Sequence, residues 1–313
     1  MLIPISTEVP IQRHLQPSMS SLRFVLGRQI NCSVPGKTTS AVKDRAGILS
    51  ADQTQPGQRV FVDHFVCTTR GRKFKGYGNR ASSRRSSQQS RMDSFSGGCI
   101  FVDASTGFIH IEFQSSLSSH ETISAVQKFE QVALDNGIVV SSYFSDNGSA
   151  FTSKSFQNYL AQQGQLNSFS AAGSHHQNGK AERAIRTIMA MARTMLLHAA
   201  IHWSDMADPS LWPMSVKYAV YLYNHLPNAT TGLSPIDLWS KTRFPLRKLH
   251  NLHVWGSPVY VLQKRLADGK SIGRWEPRSQ RFVYMGVSDK HASDAPLVLN
   301  PATGFISTQW NVC

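Results

Sequence analysis

Val139-Val140-Ser141-Ser142-Tyr143-Phe144-Ser145-Asp146-Asn147-Gly148 is an apolar-rich run that ends in a carboxylate and a turn-forming pair. It reads as a buried strand that delivers Asp146 to its tip. An earlier run, Arg59-Val60-Phe61-Val62-Asp63-His64-Phe65, has the same form and delivers Asp63. Thirty-five residues separate Asp146 from Glu182, which lies at the start of a long helical pattern. Three acids from three separate elements suit a divalent-metal site for phosphodiester chemistry. Hard cations such as Mg²⁺ or Mn²⁺ prefer carboxylate and water oxygens, and two of them about 3.5–4 Å apart can clamp the attacking and leaving oxygens of a phosphate.

The elements around these runs follow from periodicity. Cys99-Ile100-Phe101-Val102-Asp103, the turn-forming Ala104-Ser105-Thr106-Gly107 and Phe108-Ile109-His110-Ile111-Glu112-Phe113 read as a hairpin. Ile123, Val126, Phe129, Val132 and Ala133 give a helical spacing closed by Asn136-Gly137. A second helix is expected from about Ser153 to Gln163, a short strand from Leu166 to Phe169, and a third helix from about Lys180 to Ala200 with a broad apolar stripe. Strand, hairpin, helix, strand, helix, strand, helix fits an α/β layer built on a mixed sheet. Beyond it, residues 209–225 read as an aromatic-rich helix and residues 254–312 as several short strands.

Four parts are expected: a poorly ordered segment at 1–55, a core at 56–200, a helical tail at 201–250 and a small β-rich module at 251–313. Within the core, residues 68–98 are rich in Arg, Lys, Ser and Gly and read as a flexible basic insertion without a core of its own. It can serve as a nucleic-acid tether, a nuclear import signal or a solvated loop.

A formal charge of +14 and a pI near 9.9 point to a polyanionic partner, nucleic acid first, because such a surface draws phosphate. Cys32, Cys67, Cys99 and Cys313 are widely spaced and form no Cys-x-x-Cys pair, so neither a zinc knuckle nor a disulfide framework is signalled. No uninterrupted apolar stretch reaches the length of a membrane span. The expectation is an intracellular protein.

The residues resemble the integrase of copia-type long-terminal-repeat retrotransposons, within the retroviral-type integrases and RNase H-like polynucleotidyl transferases. The resemblance runs from about Gly57 to the C-terminus. Its most specific pieces are residues 144–151, similar to the family's second aspartate motif, and His175-His-Gln-Asn-Gly-Lys-Ala-Glu-Arg183, similar to its glutamate helix. Residues 221–227, 234–239 and 253–260 are similar to the tail and C-terminal region of the same elements.

The resemblance implies an RNase H-like mixed five-stranded sheet flanked by helices. It makes Asp63, Asp146 and Glu182 the catalytic, metal-holding acids, with two Mg²⁺ or Mn²⁺ ions expected when DNA is bound. It also assigns His175, Gln177, Asn178, Lys180, Arg183 and Arg186 to DNA contact. The activity implied is DNA end processing and strand transfer (DNA integration), with element ends and a target duplex as partners, a homo-oligomer, no membrane, and nuclear residence if active.

Two departures stand out. His14 and Cys32 lack the partners of the family's N-terminal zinc module, so no zinc is expected, and the basic stretch is longer than the family pattern. No protease, reverse transcriptase or RNase H segment is present, and the chain reads as a fragment or truncated copy of a pol polyprotein.

Each acid has a bland reading beside the chemical one. Asp103 also follows an apolar strand and competes with Asp63, but the Ala-Ser-Thr-Gly after it makes it a turn residue. Asp-Asn-Gly is an ordinary turn in isolation. Glu182 in a first helical turn is favoured by the helix dipole without any metal, and Arg186 is placed to pair with it. Two rival functions remain at this level: a catalytically inactive nucleic-acid-binding relic of a retroelement, and an RNase H-type nuclease that hydrolyses rather than joins.

Overall fold

A central strand, β1 (Val60–Arg72), organises the larger sheet. It pairs antiparallel with β2 (Ser94–Asp103), which turns back through residues 104–108 into β3 (Ile109–Gln114). On its other side β1 runs parallel to β4 (Ser142–Ser145), and β4 runs parallel to β5 (Leu166–Phe169). The order is β3-β2-β1-β4-β5, a mixed five-stranded RNase H-like sheet. The structure is a computed structural model. It describes residues 55–73, 94–170, 178–204, 208–228, 231–245, 249, 252–288, 291, 295–310 and 312. The chain divides into two units, Met1–Val42 and Lys43–Cys313, and every described residue belongs to the second. His14 and Cys32, weighed above for zinc, lie outside the described residues.

The parallel connection from β3 to β4 is carried by α1 (Ser119–Asp135), whose N-cap Ser118 accepts from Glu121 N–H and whose end is followed by Gly137 at φ 70°. It buries Thr122, Ala125, Val126, Phe129 and Ala133. Phe129 stacks on Phe101 of β2, centroids 4.7 Å apart, in a core shared with Val60, Val62 and Tyr143. Short α2 (Ser149–Thr152) and α3 (Lys154–Gln162) link β4 to β5 and bury Phe151, Phe156 and Leu160. The long α4 (Gly179–His202) follows. By length and composition α4 is apolar enough to cross a membrane, yet Ala181, Ala184, Ile188 and Ala192 are buried against protein and Arg183, Arg186 and Arg193 are exposed.

After a 3-10 turn at Pro209–Leu211, α5 (Trp212–His225) and α6 (Pro235–Ser240) form the tail. Ser234 and Asp237 make a capping box that starts α6, and Trp239 is fully buried, stacked on Phe108 at 4.7 Å. Burying one such aromatic is worth about 2–3 kcal/mol. The C-terminal sheet has the order β6-β7-β8-β9, from β6 (Pro258–Leu262), β7 (Ser279–Val287), β8 (Pro296–Leu299) and β9 (Ile306–Thr308), with α7 (Lys264–Ala267) after β6. Tail and sheet meet directly. Tyr218 Oη donates to the His253 carbonyl at 2.9 Å, and a Cβ on Gly286 would stand 3.1 Å from the Tyr218 ring.

The stretch read as a basic insertion is narrower than expected. Residues 68–72 continue β1, and residues 94–98 begin β2, paired across a register shift between Val66 and Gly71. Gly71 and Gly97, which suggested a flexible loop, are there for close approach. A Cβ on Gly97 would sit 2.0 Å from the Phe65 carbonyl oxygen, and one on Gly71 would meet Pro213 and Trp212 at 2.5–2.6 Å. Trp212 Nε1 donates to the Thr69 carbonyl at 2.9 Å, and the Arg72 guanidinium donates to the Gly304 carbonyl. Residues 74–93 of the stretch lie outside the described residues.

Candidate active site

Two adjacent parallel strands point the same way. The parallel pairs between β1 and β4 are Val60 with Tyr143 and Phe61 with Phe144. Asp63 and Asp146 each lie two residues beyond the second pair, so the register brings both to the point where this pairing stops. Asp146 directly follows β4, whereas Asp63, expected to end its strand, is the fourth residue of β1, which stays paired with β2 and runs on to Arg72. Asp63 Oδ1 accepts from His64 N–H at 2.8 Å, and Asp146 Oδ1 accepts from Gly148 N–H at 3.0 Å. Asn147 Nδ2 donates to the Ser170 carbonyl at 2.9 Å, tying this turn to the end of β5. A Cβ on Gly148 would stand 2.9 Å from Asp146 Oδ1, so the turn needs a glycine to hold the carboxylate as it is.

Glu182 sits in the first turn of α4, half-buried, and no ion pair joins it to Arg186. Asp63 senses both other acids. Burial first, then the charge of Asp146, and more weakly that of Glu182, push its carboxyl up to about 6, while the bond from His64 N–H opposes them. These are the electrostatics of carboxylates that face one another without a counter-ion.

The chemistry of this donor set fits a hard divalent cation, which takes carboxylate oxygens and would relieve that repulsion. The side chains are not drawn into a ligand cluster: among the described residues no three His, Cys, Asp or Glu groups stand together so as to hold a metal ion. Local backbone donors take up Oδ1 of both aspartates.

Asp103 is a different kind of residue. It is 1% exposed, its Oδ1 accepts from Gly57 N–H, and its Oδ2 accepts from Ser105 N–H, Thr106 N–H and Thr106 Oγ1. Its Oδ2 closes the β2–β3 turn and its Oδ1 ties that turn to the backbone at Gly57.

Of the six residues expected to contact DNA, His175 and Gln177 lie outside the described residues. Asn178 and Lys180 are otherwise engaged. Asn178 is 2% exposed and donates through Nδ2 to the Val62 carbonyl at 3.1 Å, which fastens the start of α4 to β1 beside Asp63. Lys180 Nζ donates to the Ala104 carbonyl at 2.8 Å and lies 5.4 Å over the Phe61 ring. Neither presents its polar group to a duplex in this arrangement, because the helix start is packed against the sheet. Arg183 and Arg186 are exposed.

Two residues around the acids had no sequence signal of their own. His64 Nε2 is 3.1 Å from Thr122 Oγ1, and its ring stacks on Phe151 at 4.4 Å and 17°. Burial lowers its pKa to about 4, against the raising effect of Asp146, so it is neutral at neutral pH. His64 thereby joins β1 to α1 and α2 next to Asp63. Its position after a strand-end acid was visible in the sequence, but the partner Thr122, 58 residues away, was not.

No family model matches the chain. It is 30% identical over 158 residues to a retrovirus-related Pol polyprotein from transposon TNT 1-94 of Nicotiana tabacum, covering 49% of this chain and 11% of the polyprotein. It is 28% identical over 180 residues to that from transposon RE2 of Arabidopsis thaliana, covering 55% and 11%, and 33% identical over 169 residues to that from RE1, covering 54% and 10%. The matched stretch thus spans about a tenth of the length of these curated relatives. Among solved structures, the HTLV-2 integrase catalytic core domain in complex with magnesium (trimeric form) is 18% identical, with 59% of this chain and 97% of that chain covered and a TM-score of 0.38. The simian T-cell lymphotropic virus intasome in complex with PP2A regulatory subunit B56 gamma is 16% identical, with 82% and 76% covered and a TM-score of 0.42.

Proposed function

We propose that this chain, a homologue of retrovirus-related Pol polyproteins of plant transposons, is an integrase segment that carries out metal-dependent DNA end processing and strand transfer. The observation that carries this reading is the shared register of Asp63 and Asp146 just past the last β1–β4 pair, with Glu182 close enough to act on Asp63. Asp63, Asp146 and Glu182 are the residues that would hold divalent cations of the Mg²⁺ or Mn²⁺ type. Bound there, such ions would supply Lewis-acid activation of water or of a 3′-hydroxyl and stabilise charge on the phosphoryl oxygens.

The chain's own residues supply positioning. The Asn178 tether and the Lys180–Ala104 bond set α4 against β1, which fixes where Glu182 stands relative to Asp63. His64, neutral and stacked on Phe151, keeps the strand end packed without adding a charge beside the acids. Exposed Arg183 and Arg186 on the face of α4 next to Glu182 offer phosphate contacts that orient a duplex without reading its sequence. DNA ends and a target duplex are the proposed partners, in a homo-oligomer, because joining two ends at one target calls for more than one site.

The test is a strand-transfer assay with purified protein, labelled duplex ends and Mn²⁺, run beside Asp146→Asn. Joined products from the natural chain and none from the variant support the proposal. Cleaved but never joined products would indicate a nuclease. DNA binding without either product would indicate a relic.

A further inference from the structure

The far end of α4 carries two imidazoles that the proposed chemistry does not use. His198 and His202 are one helical turn apart, and their ring centroids are 4.3 Å apart at 41°. Trp203 packs its ring against both, 5.6 Å from His198 and 5.9 Å from His202. His202 is exposed and His198 half-buried, and the buried Nδ1 of His198 has no hydrogen-bond partner.

The ordinary role of histidine in a last helical turn is a positive charge that complements the helix dipole. His198 is poorly suited to it, since burial and the neighbouring His202 hold it below the usual histidine range. Imidazoles at i and i+4 are arranged as two ligands on one helical face. Imidazole suits borderline cations of the zinc, copper and nickel type, whereas Mg²⁺ prefers oxygen.

We infer that His198 and His202 form a two-histidine site for a divalent transition metal of the Zn²⁺, Cu²⁺ or Ni²⁺ class, which clips the last turn of α4. Among the described residues no third His, Cys, Asp or Glu joins them. The site is separate from the acids. Glu182 and His198 are sixteen positions apart on the helix, roughly 24 Å along the axis.

Cu²⁺ is the probe, because it quenches tryptophan and Trp203 lies beside both rings. The full chain, purified without a polyhistidine tag, is titrated with Cu²⁺ while tryptophan emission is read, alongside His198→Gln, His202→Gln and a double variant His175→Gln/His176→Gln. Helix content by circular dichroism confirms that each folds, which His202→Gln should do readily since that side chain is exposed. The expected result is a saturable quench whose affinity falls at least about tenfold in His198→Gln and in His202→Gln, as one of two ligands is lost, and is unchanged in the loop double variant. Equal affinity in His202→Gln and the natural chain overturns the inference, as does a quench lost only with His175 and His176. Asp146→Asn should bind Cu²⁺ like the natural chain, so the result stands apart from the fate of the proposed integrase activity.

Discussion

Asp63 and Asp146 occupy the same register position, each two residues past the Phe61–Phe144 pair of parallel strands β1 and β4. Parallel pairing forces this outcome, since neighbouring strands that point the same way keep a common register, although β4 stops at Ser145 and β1 runs on to Arg72. The cost is visible on Asp63, whose carboxyl is pushed up to about 6 by burial and by the two other acids.

A carboxylate with a raised pKa in the fold contributes stability that is full below its unfolded value and is lost as pH rises through the folded one. For Asp63 that window runs from about 4, the unfolded range, to about 6. Asp63→Asn should therefore stabilise the fold at pH 7.5 in metal-free buffer by on the order of 2 kcal/mol, after allowance for screening of a partly exposed group, read as a higher melting temperature. The gain should vanish near pH 4. Thermal melts of both proteins across pH 4 to 8 measure it, and a gain that does not depend on pH would assign it to something other than charge.

Gly148→Ala places a methyl group 2.9 Å from Asp146 Oδ1. The carboxylate has to rotate away or lose its bond from the residue 148 N–H. Strand transfer should fall at least about tenfold, while the melting temperature stays within a few degrees, because the turn is at the surface. Parallel melts and activity assays separate the two effects.

Asn178→Ala removes the bond to the Val62 carbonyl and leaves that acceptor buried. A loss of roughly 1–3 kcal/mol is expected, read as a lower denaturation midpoint. Amide exchange should speed up in the first turn of α4 more than in its middle. Uniform loss of protection along α4 would mean that the tether serves the whole helix rather than its start.

Residues 74–93 hold five of the eight Arg and Lys residues in that basic stretch: Lys75, Arg80, Arg84, Arg85 and Arg91. Replacing them with a short Gly-Ser linker should flatten the dependence of log DNA affinity on log salt, because fewer counterions are released, and leave cooperative unfolding intact. Extending the deletion to 68–98 should destroy the fold, since it removes paired strand residues and the Gly71 contact with Trp212. An unchanged salt slope in the shorter deletion would exclude the segment from DNA binding.

Local chemistry was enough for most of the elements. Alternation across residues 99–113 is the hairpin, and the Asn136-Gly137 stop bounds α1. Such signals are legible because each depends on neighbours within a few positions. The run that delivers Asp146 was legible for the same reason, and so was Asp103 as a turn residue, whose Oδ2 the Ala-Ser-Thr-Gly turn occupies, whereas β1 runs on past Asp63 to Arg72.

What the chain order could not determine is where a polar side chain ends up when its partner is distant in sequence. Asn178 and Lys180 looked like residues offered to DNA, and folding spends them on carbonyls 116 and 76 residues away. Gly71 and Gly97 looked like breakers, and packing uses them as places where a side chain would collide with Trp212 or the Phe65 carbonyl. A glycine in a basic, polar stretch has the same local signature whether the chain is loose or tightly apposed. Only the long-range pairing of β1 with β2, and of both with the tail, decides between them.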